Sequence, residues 1–215
     1  MPNYEGYIFD IDGTLTSTNE LIFKSFNFVA EKYLHRSYSE KELISFFGPT
    51  EEAILEKLMG NDYENARKDY FDYYHSRHNK LAELHPGIKE VLGIIKDADI
   101  PLGVFTGKGR KAATITLRML EIYNYFDLII TGDDVKKHKP DPEGILNFIN
   151  QFNLKNDKVI LIGDAPSDIK AAKGAGIKIA SVLWDSYAKD RVLEPGSDFI
   201  FHTVDELKKF IIENI

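Results

Sequence analysis

Apolar and polar positions give the chain two textures. Tyr7-Ile8-Phe9 is a short apolar run that stops at Asp10-Ile11-Asp12-Gly13-Thr14, the pattern of a buried strand entering a tight turn. From Asn19 the period lengthens, and Ile22, Phe26, Val29 and Tyr33 form the stripe of a helix reaching Leu34. Ser39-Glu40-Lys41-Glu42 is a capping box that predicts a second helix running to Phe47. Thr50 predicts the start of a third, with Glu51 and Glu52 in the first turn, where the helix dipole favours negative charge. A fourth helix is expected over 63–84, rich in tyrosine and charge. Nothing from Thr18 to Leu84 reads as a strand, so this stretch is expected to be entirely helical.

From Pro86 the two periods alternate. Ile88, Val91, Leu92 and Ile95 form an apolar helical stripe. Strands are then expected over 101–106, 126–131, 158–162 and 177–183, with a short one at Phe199-Ile200-Phe201. Helices are expected between them over 108–121, around Ile145 to Phe152 and over 167–175, and a second capping box, Thr203 to Glu206, opens the last. Alternation of this kind predicts an α/β fold, a Rossmann-like parallel sheet with helices on both faces. The helical block is then an insertion. It divides the chain into an α/β core of residues 1–15 and 85–215 and an inserted all-α domain of 16–84.

Composition narrows the partners. With 215 residues the chain can bury a full core, and 28% charged residues suit a soluble globular protein. A net charge of −7 argues against nucleic acid or an anionic membrane as the main partner. No apolar run approaches the ~20 residues of a membrane span, and no basic-then-apolar leader is read at the N-terminus, so a cytoplasmic address is expected. The absence of cysteine excludes disulfides, thiolate metal sites and thiol nucleophiles.

In a parallel sheet, ligands bind at the carboxyl ends of the strands. Asp10 and Asp12 follow the first predicted strand, Thr106-Gly107 the second, and Gly163-Asp164 to Asp168 the fourth. Lys139, in His138-Lys139-Pro140-Asp141-Pro142, lies between the third strand and the next helix. That set suits phosphoryl transfer. Mg²⁺ takes oxygen ligands and keeps several waters, so a few carboxylates and a carbonyl suffice as protein ligands. Lysine, hydroxyl and loop N–H groups can meet the phosphoryl oxygens. One carboxylate can attack phosphorus, and a second carboxyl group can protonate the leaving oxygen and later activate water.

These four stretches, in this order, resemble the motifs of the haloacid-dehalogenase-like phosphatases, and the resemblance covers essentially the whole chain. It implies that Asp10 is the nucleophile and that Asp12 is the general acid/base, its main-chain carbonyl also reaching Mg²⁺. By the same resemblance Thr106, Gly107 and Lys139 bind the phosphoryl group, Asp10, Asp164 and Asp168 serve the metal, and the helical insertion is an α-helical cap. His85-Pro86-Gly87, the Lys-Pro-Asp-Pro stretch and Val182-Leu183-Trp184 look closest to phosphoglycolate phosphatases and related pyrophosphatases. The expected activity is hydrolysis of a small phosphorylated metabolite, phosphoglycolate first and pyrophosphate second. A β-phosphoglucomutase-like phosphotransferase and a non-catalytic phosphate-binding module are the alternatives. The sequence does not specify an oligomeric state. Gly107 stands where many relatives have asparagine, which leaves that phosphate contact to the backbone.

Other conspicuous residues read as structural. His75 and His78 are expected to be ordinary helix residues, and Tyr70, Phe71, Tyr73 and Tyr74 to be helix packing. Lys108 and Arg110 read as solvated charges at a helix start, and Trp184 as a core or rim aromatic.

Overall fold

The computed structural model describes residues 4–186 and 196–215. Its centre is a six-stranded, all-parallel sheet in the order β5-β4-β1-β6-β7-β8. The strands are β1 (Gly6–Phe9), β4 (Leu102–Phe105), β5 (Leu128–Ile130), β6 (Val159–Gly163), β7 (Lys178–Val182) and β8 (Phe199–Phe201). Around them lie α5 (Ile88–Asp97), α6 (Arg110–Met119), α7 (Glu143–Phe152), α8 (Pro166–Ala175) and α9 (Val204–Ile212).

Alternation along β1 shows why both faces are covered. Tyr7 and Phe9 join a cluster with Val91 and Leu92 of α5, Leu117 of α6 and Leu207 of α9. Ile8 points the other way, into a cluster with Phe148 of α7 and Ile169 of α8. A strand buried on both faces must be apolar throughout, and β1, β4 and β6 are buried at every position.

The inserted stretch forms α1 (Asn19–Leu34), α2 (Glu40–Phe46), α3 (Glu51–Met59) and α4 (Tyr63–Leu81), packed around their own apolar cluster. Phe26 and Val29 of α1, Leu55 of α3 and Tyr70, Phe71 and Tyr74 of α4 are its centre, and Ala112 of α6 joins it from the sheet domain. Both capping boxes form, with Ser39 and Glu42 exchanging bonds before α2 and Thr203 and Glu206 before α9.

Two expectations about this stretch are corrected. The fourth helix stops at Leu81, because Ala82 adopts an extended backbone with φ −137°. Glu83–Leu84 is then a strand, β3, paired antiparallel with β2 (Thr16–Ser17) in the register Thr16↔Leu84 and Ser17↔Glu83. Two residues per strand are too few to show a period of two, so the pattern was invisible.

Candidate active site

The chain crosses the carboxyl edge of the sheet several times, and three of the strands leave a polar side chain there. Asp10 is the first residue after β1, Thr106 the first after β4, and Asp164 the first after β6. Asp168 sits in the first turn of α8, and Lys139 lies in the connection from β5 to α7. The fold thus brings together residues that are far apart in the chain.

Lys139 is the link between two of the carboxylates. Its Nζ donates to Asp10 Oδ1 at 3.0 Å and to Asp168 Oδ1 at 2.6 Å, while lying 4.8 Å from the centre of the Phe105 ring. Asp168 Oδ2 accepts from the backbone N–H of Ala165 at 3.0 Å, which fixes the carboxylate at the start of its helix. Asp164 Oδ1 accepts from the Thr14 hydroxyl at 3.2 Å, whereas Asp164 Oδ2 is buried without a hydrogen-bond donor. Gly13 makes room for that oxygen. Its φ of +80° suits glycine, and a Cβ there would lie 2.4 Å from Asp164 Oδ2.

Asp10, Asp164 and Asp168 present oxygens that all lie within 4.8 Å of one another. Burial pushes the Asp10 carboxyl up to about 6; Lys139 opposes this, while Asp168 and Asp12 add to it. Burial, then Asp10 and Asp168, drive Asp164 well above the usual carboxylate range. Burial alone would lower the Lys139 pKa, but Asp10 and Asp168 hold it above the ordinary lysine value. One ammonium among three buried carboxylates leaves an excess of negative charge. An unpaired buried oxygen inside such a cluster fits a hard divalent cation.

Asp12 faces elsewhere. Its carboxylate accepts from Lys108 Nζ at 3.0 and 3.1 Å and from the Thr18 hydroxyl. Lys108 therefore overturns the expectation of a solvated charge, since its side chain is only 1% exposed. It also pairs with Glu51 Oε1 of α3 at 3.3 Å and lies 5.5 Å from the Tyr74 ring centre. Glu51 is buried as well, and its Oε2 accepts from the backbone N–H of Gly109 at 2.7 Å. Burial would depress the Lys108 pKa, yet Asp12, Tyr74 and Glu51 hold it well above the ordinary value. Burial raises the Glu51 pKa, with Lys108 and the Gly109 N–H pulling the other way. A hint was available, because a cation beside a helix N-terminus is unfavourable and needs another reason to be there.

Thr106 and Gly107 line the same cavity of about 350 Å³ as Asp10, Asp12 and Lys139. Thr106 is buried, and its hydroxyl accepts from the Lys108 N–H at 3.2 Å. Arg110 stays partly exposed, paired with Asp134 and the Ile129 carbonyl. Trp184 is a rim aromatic whose Nε1 donates to the Thr14 carbonyl at 3.1 Å. His78 is buried with Nε2 3.3 Å from the Thr116 hydroxyl, which also meets Tyr74, while His75 is exposed.

Comparison with known proteins places the sequence and the fold. Residues 7–182 match the haloacid dehalogenase-like hydrolase family. A pyrophosphatase PpaX from Halalkalibacterium halodurans is 32% identical over 200 residues, spanning 93% of each chain. Among solved structures, a protein from Haemophilus somnus described as a predicted phosphoglycolate phosphatase shares the fold. Its TM-score is 0.87 at 21% identity, covering 98% of this chain and 99% of that one. A Thermotoga maritima protein provisionally described as a β-phosphoglucomutase has a TM-score of 0.78 at 31% identity, over 98% of this chain and 100% of its own. With the matched segment covering most of its length, this chain belongs to the haloacid dehalogenase-like hydrolase family.

Proposed function

We propose that the protein is a Mg²⁺-dependent phosphatase that hydrolyses a small phosphate monoester through an aspartyl-phosphate. The observation that carries this reading is the pairing of two differently held carboxylates at the end of β1. Asp10 lies among buried acids with Lys139 on one oxygen, and Asp12, two residues on, faces the cavity on the arm of Lys108.

Asp12 enters the step protonated: the Asp10 carboxylate attacks phosphorus while the bond to the leaving oxygen breaks, and the Asp12 carboxyl group gives that oxygen its proton. Asp12, now a carboxylate, takes a proton from water as the water attacks the phosphorus of the aspartyl-phosphate. Inorganic phosphate leaves and Asp10 regains its carboxylate. Lys139 steadies Asp10, and Thr106 with the Gly107 N–H receives the phosphoryl oxygens. The carboxylates of Asp10, Asp164 and Asp168, with the main-chain carbonyl of Asp12, would hold Mg²⁺, which supplies positive charge to the phosphoryl group. The helical block of 16–84 acts as a cap over the core of 1–15 and 85–215, excluding water and choosing the leaving group.

Pyrophosphate is the second substrate reading, favoured by the similarity to the H. halodurans pyrophosphatase. The test is a phosphate-release screen over small phosphoesters and pyrophosphate, each with Mg²⁺ and with EDTA. Release that EDTA abolishes and that Asp10→Asn lacks, with the variant's circular dichroism unchanged, is the expected result. Normal turnover by Asp10→Asn would overturn the nucleophile assignment. Isomerisation of a sugar phosphate without phosphate release would turn the reading to a mutase.

A further inference from the structure

The cavity has two unlike halves. Its core half holds the carboxylate cluster, Lys139 and Thr106. Its other half is lined by Ile22 and Phe26 of α1, Phe47 and Pro49 of the α2–α3 connection, and Ile54 of α3. Ile22, Phe26 and Ile54 are 5%, 2% and 7% exposed, so they form a packed apolar wall rather than a solvated rim. Asn19 supplies a neutral polar group.

Charge is distributed as unevenly as polarity. Among the described residues lining the cavity, Lys108 and Lys139 are the cations. Lys139 is engaged by Asp10 and Asp168. Lys108 is engaged by both oxygens of Asp12 and by Glu51, so the cation beside the apolar wall is already held by two acidic side chains. An anionic leaving group entering this half would lose its hydration and meet a cation already shared between two acids. Burying a charge without a partner is costly, while an uncharged apolar group loses nothing there.

We propose that the substrate is a phosphate monoester of a compact, uncharged, largely apolar alcohol, with the apolar wall of α1, α3 and their connection as its specificity determinant. The proposal rests on the phosphohydrolase reading above and narrows it. Pyrophosphate and phosphoglycolate, whose leaving groups carry negative charge, become the poorer substrates.

A matched pair tests it. Isobutyl phosphate has the shape of phosphoglycolate with two methyl groups in place of the carboxylate oxygens. In the presence of Mg²⁺, kcat/KM from phosphate release is expected to be about tenfold or more higher for isobutyl phosphate than for phosphoglycolate or pyrophosphate. The variant Phe47→Arg adds a cation to the apolar half and is expected to move that ratio about tenfold towards phosphoglycolate. If the variant does not fold, the ratio for the unaltered protein decides alone. A ratio at or below one, with phosphate released, overturns the proposal and leaves the phosphohydrolase reading standing. No release from any of the three substrates by the folded protein overturns both.

Discussion

Asp12 and Gly13 are neighbours with opposite vulnerabilities. Asp12 is joined to Lys108 and Thr18 through its side chain, so Asp12→Asn keeps the shape but cannot transfer the proton. Its kcat is expected to fall by about 10²–10⁴-fold on alkyl phosphates, and by less on aryl phosphates with good leaving groups, as steady-state phosphate release would show. Gly13→Ala would fail differently, because the new methyl group meets the Asp164 carboxylate head-on. The expectation is loss of activity together with weakened Mg²⁺ binding in isothermal titration, since the displaced group is a proposed ligand. The placement of Asp10, Asp12, Thr106 and Asp164 at the sheet edge was legible because each closely follows an apolar run that forecasts a strand, whereas Lys139 and Asp168 stood out only by their order among the motifs. Lys108 and Glu51 were not recognised as buried site residues. Their burial depends on a contact between the helical block and the sheet domain, which no local spacing encodes.

At the scale of elements, a buried carboxylate ties α3 to the start of α6. Glu51 follows the N-cap Thr50 of α3 and accepts the Gly109 N–H at the start of α6. Glu51→Ala takes one of two acidic partners from the buried Lys108 and leaves the Gly109 N–H without its acceptor. A buried donor left unsatisfied costs about 1–3 kcal/mol, so chemical denaturation should show a loss of that order, and Glu51→Gln, which still accepts the N–H, a smaller one. Packing of α7 on β4 is as close in another way. A Cβ on Gly144 would lie 2.3 Å from the Phe105 ring, and Gly144→Ala is expected to cost about 1–3 kcal/mol by the same measurement. Most elements were legible because their stripes are long: α5, α6 and α7 each present a full apolar face. The termini shifted by a few residues, as at Leu81, where packing rather than pattern decides the end.

Over the whole molecule, order across the sheet matters more than order along the chain. β1 lies between β4 and β6, which sets Asp10 between Thr106 and Asp164 although these lie far away in sequence. Alternation of periods announced a parallel sheet but not which strands are neighbours, because strand order is fixed by crossovers rather than by residue type. Global stability carries one titration that can be isolated. Burial, aided by the positive charge of Lys108, pushes the His78 imidazole down from 6.5 to about 4. The unfolded chain binds this proton first, so the contribution is full above pH 6.5 and is lost as the pH falls through 4. Denaturant titrations between pH 4 and 7 should show a slope from this group approaching about 1.4 kcal/mol per pH unit, and His78→Gln should remove it.

The small ladder of β2 and β3 has a wider consequence. The helical detour leaves and rejoins the rest of the protein at two hydrogen-bonded neighbours, Ser17 and Glu83. Closing a long excursion costs little more than closing a short one once its ends are tied, so the sheet is indifferent to how much chain the excursion contains. Such a joint makes the detour exchangeable. Evolution, or an engineer, can splice a different module between the two strands and reshape the wall of the cavity, while the carboxylates at the sheet edge keep their places.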